Sequence, residues 1–179
     1  IPVVEALLLP HGGGGGGGDD ATKQARPDSR GRWDNTPLHY AEYYGHFHTA
    51  RMLLRWSPGR RQQQKLANKR NEAGMTPLYI AAARGDARMC DLLVRAGADP
   101  NLTAMNNRTC LHEAAVSGSA HAVDVLVKAG ADSGARDADQ RTALHYSVLV
   151  PEERREVVSV LVLCMGVLNA VDRCVFVCV

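Results

Sequence analysis

The tetrapeptide TPLH at Thr36 to His39 returns as TPLY at Thr76 to Tyr79, as TCLH at Thr109 to His112 and as TALH at Thr142 to His145. The last two steps are 33 residues each and the first is 40. This recurrence constrains the fold more than any other feature of the chain. A unit so short cannot bury an apolar face by itself, so neighbouring copies must stack into one continuous core.

Each position of the repeat has a physical reading. Thr is a good helix N-cap, and Pro in the first helical turn lacks only an N–H that would have no partner there. Leu78, Ala81 and Ala82 then fall on one face, as do Leu111, Ala114 and Ala115, and the small alanines let neighbouring helices approach closely. Gly45, Gly85 and Gly118 follow at a fixed offset and stop this first helix. A second apolar run holds Leu53, Leu92 or Val125, and in two units GAD closes it, at Gly97 to Asp99 and Gly130 to Asp132. The unit is therefore helix, turn, helix, loop.

The pattern resembles the ankyrin repeat family, whose period is about 33 residues with a T-P-L-H-x-A motif. The resemblance runs from about Gly31 to Asp172 and implies an all-α ankyrin-repeat solenoid of stacked helix-turn-helix units with hairpin-like loops. Repeats are expected near residues 31–59, 71–103, 104–136 and 137–171, with a basic insertion at 60–70. VVEALL at Val3 to Leu8 resembles the second helix of a partial leading repeat at 1–11. Together with Ile1 as first residue, it suggests an excerpt of a longer protein. The unbroken glycine run Gly12 to Gly18 and the polar stretch after it offer little for a core, so residues 12–30 are expected to be a flexible insertion. In the fourth unit VPEE at Val150 to Glu153 replaces the mid-unit glycine, and a longer inter-helix loop is expected there. Residues 173–179, ending in CVFVCV, are expected to be irregular and apolar.

Composition narrows the function. The five cysteines are odd in number and scattered, without paired CxxC spacing, which fits a reducing compartment, the cytoplasm or the nucleus. The N-terminal IPVVEALLLP lacks the basic start of a secretion signal. The net charge of +2 conceals an asymmetry, because Ala21 to Arg70 holds eleven Lys/Arg against three acids. No P-loop, GxSxG elbow or strand-linked GxGxxG is present, so an enzyme is not expected. His39, His112 and His145 share one repeat position, where the family resemblance implies hydrogen bonds between units. His46 and His48 supply at most two ligands and HEAAV at His112 is not HExxH, so no metal and no cofactor are assigned. Val157 to Val171 is fifteen residues without a charge, shorter than the roughly 20 of a spanning helix, and membrane insertion is not expected.

The expected activity is binding of a partner protein, with nucleic acid and membrane set aside. In ankyrin-like proteins partners dock on the concave side, formed by hairpin tips and the exposed ends of first helices. Carried onto matching positions, this implies Trp33, Asn35, Tyr43 and Tyr44 in repeat one, Met75 and Arg84 in repeat two, and Met105, Asn106 and Arg108 in repeat three. A basic loop with Arg60, Arg61, Lys65, Lys69 and Arg70 is expected to be solvated, and to suit an acidic partner if it binds one. The alternatives are a recruitment or targeting region of a larger enzyme or channel, and a truncated array without a partner.

Overall fold

The computed structural model describes residues 27–57, 59–148 and 155–168. The expected leading half-repeat, the glycine run, the loop at 149–154 and the C-terminal end lie outside them. Among the described residues the regular elements are helices, with one isolated antiparallel bridge between Thr103 and Thr109. Four helical hairpins follow one another: α1 (Pro37–Tyr43) with α2 (Phe47–Trp56), α4 (Pro77–Ala83) with α5 (Ala87–Arg95), α6 (Cys110–Ser117) with α7 (Ala120–Lys128), and α8 (Ala143–Val148) with α9 (Arg155–Leu168). A further helix, α3 (Arg60–Ala67), stands between the first and second.

The first helices pack in the order α1, α4, α6, α8, and the second helices α5, α7 and α9 stack behind them. Leu38, Leu78 and Leu111 are at most 1% exposed, as are Leu93 and Leu126 of the second helices, giving one core through all units. The alanines serve as expected, Ala81, Ala82, Ala114 and Ala115 all being buried where first helices meet. Thr36, Thr76 and Thr109 are N-caps. In the first, third and fourth repeats the cap is reciprocal, Thr142 N–H donating to His145 Nδ1 (3.1 Å) in the fourth. The backbone N–H of Thr36 donates to His39 Nδ1 (3.1 Å) and that of Thr109 to His112 Nδ1 (3.2 Å). Since Nδ1 accepts, Nε2 carries the proton, and it donates to the next repeat at Met75 O or Arg141 O, 3.1 Å in each case. These two histidines therefore cap their own helix and tie it to the neighbour.

The segment expected as a basic loop is the helix α3. Its residues Arg60 to Lys65 are good helix formers without a Gly or Pro, and Leu66 and Ala67 anchor it, at 2% and 0% exposed. It packs against α2, and the regular register resumes immediately after it. Asn68 Nδ2 donates to Gly97 O and Asn68 Oδ1 accepts from Asp99 N–H. Asn101, 33 residues on, makes the same pair of bonds to Gly130 O and Asp132 N–H. The extra length is thus absorbed before Asn68, which already belongs to the following unit. Arg70 is also drawn into the stack, donating from Nε to Gly74 O and from Nη2 to Thr103 O.

Two cysteines at repeat positions are buried as packing residues, Cys90 in α5 and Cys110 at the start of α6. Burial pushes the Cys90 thiol up to about 12 and raises that of Cys110 as well. Thiolate is the reactive form, so neither should label with iodoacetamide in the native protein at neutral pH, and both should label in denaturant. Peptide mapping by mass spectrometry checks this site by site, and native modification of either would contradict the packing.

Candidate protein-binding surface

Successive hairpin tips are joined edge to edge. Glu72 N–H donates to Trp33 O (3.0 Å), Met105 N–H to Ala73 O (3.2 Å) and Ala138 N–H to Asn106 O (2.9 Å). Each tip closes on itself through one recurring backbone bond, Gly31 to Asn35, Asn71 to Met75, Ala104 to Arg108 and Asp137 to Arg141. The tight turn needs a left-handed residue, supplied at equivalent positions by Asp34, Gly74, Asn107 and Gln140. Trp33 and Asn106, one position earlier, also have positive φ, which is uncommon for a residue as bulky as tryptophan.

Four large apolar side chains of the first and third repeats are exposed. Trp33, Tyr43, Tyr44 and Met105 are 59%, 63%, 61% and 63% exposed. Tyr43 and Tyr44 meet edge to face at 5.2 Å, and Tyr44 stacks on His46 at 6.0 Å. Trp33 stands at the hairpin tip under its own neighbour Arg32, whose guanidinium is 4.7 Å from the ring. The structure thus brings the two tyrosines together. Trp33 precedes α1 and the tyrosines end it, so the roughly 10 Å length of a seven-residue helix lies between them, and Trp33 shares no ring contact with them among the described residues.

The polar members of the expected site are committed to the fold in differing degrees. Asn35 accepts from Asn71 Nδ2 (2.9 Å), and Met75 gives its carbonyl to His39 and its N–H to Asn71. Arg84 is exposed but donates to Tyr43 O (2.8 Å), linking the first two repeats. Its guanidinium covers Gly45, where an added Cβ would lie 2.8 Å from Nη2 and the backbone φ is +71°. Asn106 is exposed at its tip.

Arg108 belongs to a chain of contacts that sequence reading missed. Tyr79 O–H donates to Glu113 Oε1 (2.7 Å), and Arg108 Nη2 meets the same oxygen at 3.0 Å. The Arg108 guanidinium lies 4.7 Å from the Tyr146 ring, and Tyr146 O–H donates to Asp137 Oδ2 (2.6 Å). That hydrogen bond holds the Asp137 carboxyl below the usual range. Repeats two, three and four are joined in this way, and Arg108 keeps only 27% of its side chain exposed. The signal was Tyr79 standing where the other repeats have histidine, with Glu113 one repeat further on.

A family profile described as "Ankyrin repeats (3 copies)" matches residues 1–104 and 83–172. The chain belongs to the ankyrin repeat family. It is 34% identical over 84 residues to the human transient receptor potential cation channel subfamily A member 1, covering 47% of this chain and 7% of that protein. Identity to bovine ankyrin repeat and SOCS box protein 3 is 34% over 82 residues, 46% of this chain and 14% of that one. Mouse ankyrin repeat and SOCS box protein 1 is 33% identical over 87 residues, 44% and 24% of the two chains. The ankyrin array thus spans under a quarter of the length of each of these relatives. Ankyrin repeats are in general non-catalytic modules that bind proteins. Among the described residues, no three His, Cys, Asp or Glu are grouped to hold a metal, and no helix is long and apolar enough to cross a membrane.

Proposed function

We propose that this ankyrin array is a non-catalytic recognition module that docks one partner protein across its hairpin tips and first-helix ends. The observation that supports it is the exposure of Trp33, Tyr43, Tyr44 and Met105, four large apolar side chains each about 60% exposed, which we group into one docking strip. Aromatic and arginine side chains dominate binding hot spots because they bury much area for few rotors. Arg84 and Asn106 are exposed as well and are the proposed hydrogen-bonding members of this surface. Partner contacts at Asn35, Met75 and Arg108 are the weaker part of the proposal, since these residues also hold repeats together. The proposed compartment is the cytoplasm or nucleus.

In a longer protein the same strip serves as a recruitment or targeting region, the arrangement suggested by relatives that include a cation channel and SOCS-box proteins. Replacing Trp33, Tyr43 and Tyr44 together by Ala is expected to weaken partner capture at least about tenfold, or some 1.4 kcal/mol, while leaving the melting temperature nearly unchanged. Pull-down with mass-spectrometric identification, followed by titration of the captured protein, reads this out. Equal affinity of the folded variant would move the site elsewhere.

A further inference from the structure

The outer faces of the second helices carry a recurring ion pair. Arg95 Nε meets Asp91 Oδ2 at 2.9 Å in α5, and Lys128 Nζ meets Asp124 Oδ2 at 2.6 Å in α7, each pair four residues apart. The equivalent positions in α2 are Arg51 and Arg55. The acid has become an arginine, and a stabilising pair has become a repelling one.

Along α2 and α3 themselves every ionised side chain is positive. Arg51 and Arg55 are exposed in α2, and Arg60, Arg61 and Lys65 are exposed in the adjacent α3. None of the five has an ion pair or hydrogen bond among the described residues. Lys65 and Lys69 also border a hollow of about 210 Å³ whose lining includes Leu66 and Asp28. Met52 and Trp56, next to the arginines and one turn apart, are each 49% exposed. Two apolar anchors thus stand inside a field of unpaired cations, on helices that do not form the strip of Trp33, Tyr43 and Tyr44.

We propose that α2 and α3 form a second docking surface, for an acidic amphipathic segment of a protein, whose carboxylates replace the missing aspartate of repeat one while its apolar side chains cover Met52 and Trp56. Four of the five exposed cations are arginines, whose planar fork pairs with carboxylates in bidentate fashion, and Trp and Arg are both residue types enriched at binding hot spots. An anionic membrane fits less well. The apolar end of α3, Leu66 and Ala67, faces the protein, which leaves only two half-exposed side chains to enter a bilayer.

The test uses the full chain and two probes. One is a fluorescein-labelled peptide with Glu on one helical face and Leu and Phe on the other, with its Glu-to-Gln counterpart as control. The second is a suspension of phosphatidylcholine vesicles containing phosphatidylserine. Arg51→Asp restores the pairing of the other repeats and should fold at least as well as the parent. Expected are binding of the acidic peptide alone, a tenfold or greater weakening by Arg51→Asp and by Trp56→Ala, and loss on raising salt. The Trp33, Tyr43, Tyr44 triple variant should bind the peptide normally, so this surface stands or falls independently of the concave one. Equal affinity of Arg51→Asp, equal binding of the Gln peptide, or capture of vesicles without the acidic peptide would overturn the proposal.

Discussion

Glu42→Ala should stabilise the protein by about 3 kcal/mol at neutral pH, and should flatten its stability between about pH 4.5 and pH 9. Glu42 is fully buried in α1, and neither carboxyl oxygen has a hydrogen-bond partner among the described residues. Burial, reinforced by Asp86, pushes its carboxyl up to about 9, so the folded protein holds it neutral at pH 7 while the unfolded chain ionises it. A folded-state value raised above the unfolded one stabilises below the unfolded pKa and is lost as pH climbs toward the folded one. Wild-type stability should therefore fall from pH 5 to pH 9 through this residue. The histidines run the other way. Burial holds His39 and His112 below the usual value, so their contribution is complete above about pH 6.5 and is lost as pH falls below it. Ala82 and Ala115 occupy the matching positions in the next repeats at 0% and 1% exposure, so an alanine leaves a site that this fold already closes. Denaturant melts of wild type, Glu42→Ala and Glu42→Gln across this range decide it. Glu42→Gln should remove the pH dependence with a smaller gain, since its amide stays unpaired. Parallel curves for wild type and Glu42→Ala would show that the carboxyl is ionised or solvated in the folded state.

Arg108→Met should destabilise by about 2 kcal/mol, less than the 3–5 kcal/mol for breaking a fully buried pair because Arg108 is part-exposed. The change leaves Glu113, whose side chain is 13% exposed, with only the Tyr79 hydroxyl, and takes the guanidinium off Tyr146. Glu113→Gln should cost less, and the double variant should cost less than the two separate losses combined. Such coupling in a double-mutant cycle is the mark of a direct pair. A full partner-binding defect with unchanged melting would instead make Arg108 a surface contact alone.

The helical hairpins were legible because each boundary rests on a residue with one physical role. Thr36, Thr76 and Thr109 cap, the prolines begin, and glycines such as Gly85 stop, whatever surrounds them. The helix α3 was not, since Arg60 to Lys65 has no apolar period and its anchorage is confined to Leu66 and Ala67 at one end. A charge run reads the same whether it is coil or the outer face of a helix. Its helix formers, bounded by Ser57-Pro58-Gly59, were the available signal. Exposure of Trp33, Tyr43 and Tyr44 followed from repeat register, whereas the Arg108, Glu113 and Tyr146 cluster depends on side chains meeting across three units, which register does not specify. Glu42 and Arg51 were both visible as departures from the pattern, the first at an alanine position and the second at an aspartate position. Their meaning needed burial and pairing.

At Trp33, Ala73 and Asn106 the joint between neighbouring hairpin tips is made by the main-chain carbonyl rather than by the side chain that stands there. At these three residues adhesion and recognition are therefore written on different atoms. The tip residue can change identity, within what a left-handed backbone tolerates, while the interval between one displayed side chain and the next stays fixed by peptide groups. The array works as a ruled display, with spacing held constant and lettering free to vary, so a new client could be acquired by a few exchanges at the tips without re-solving the fold.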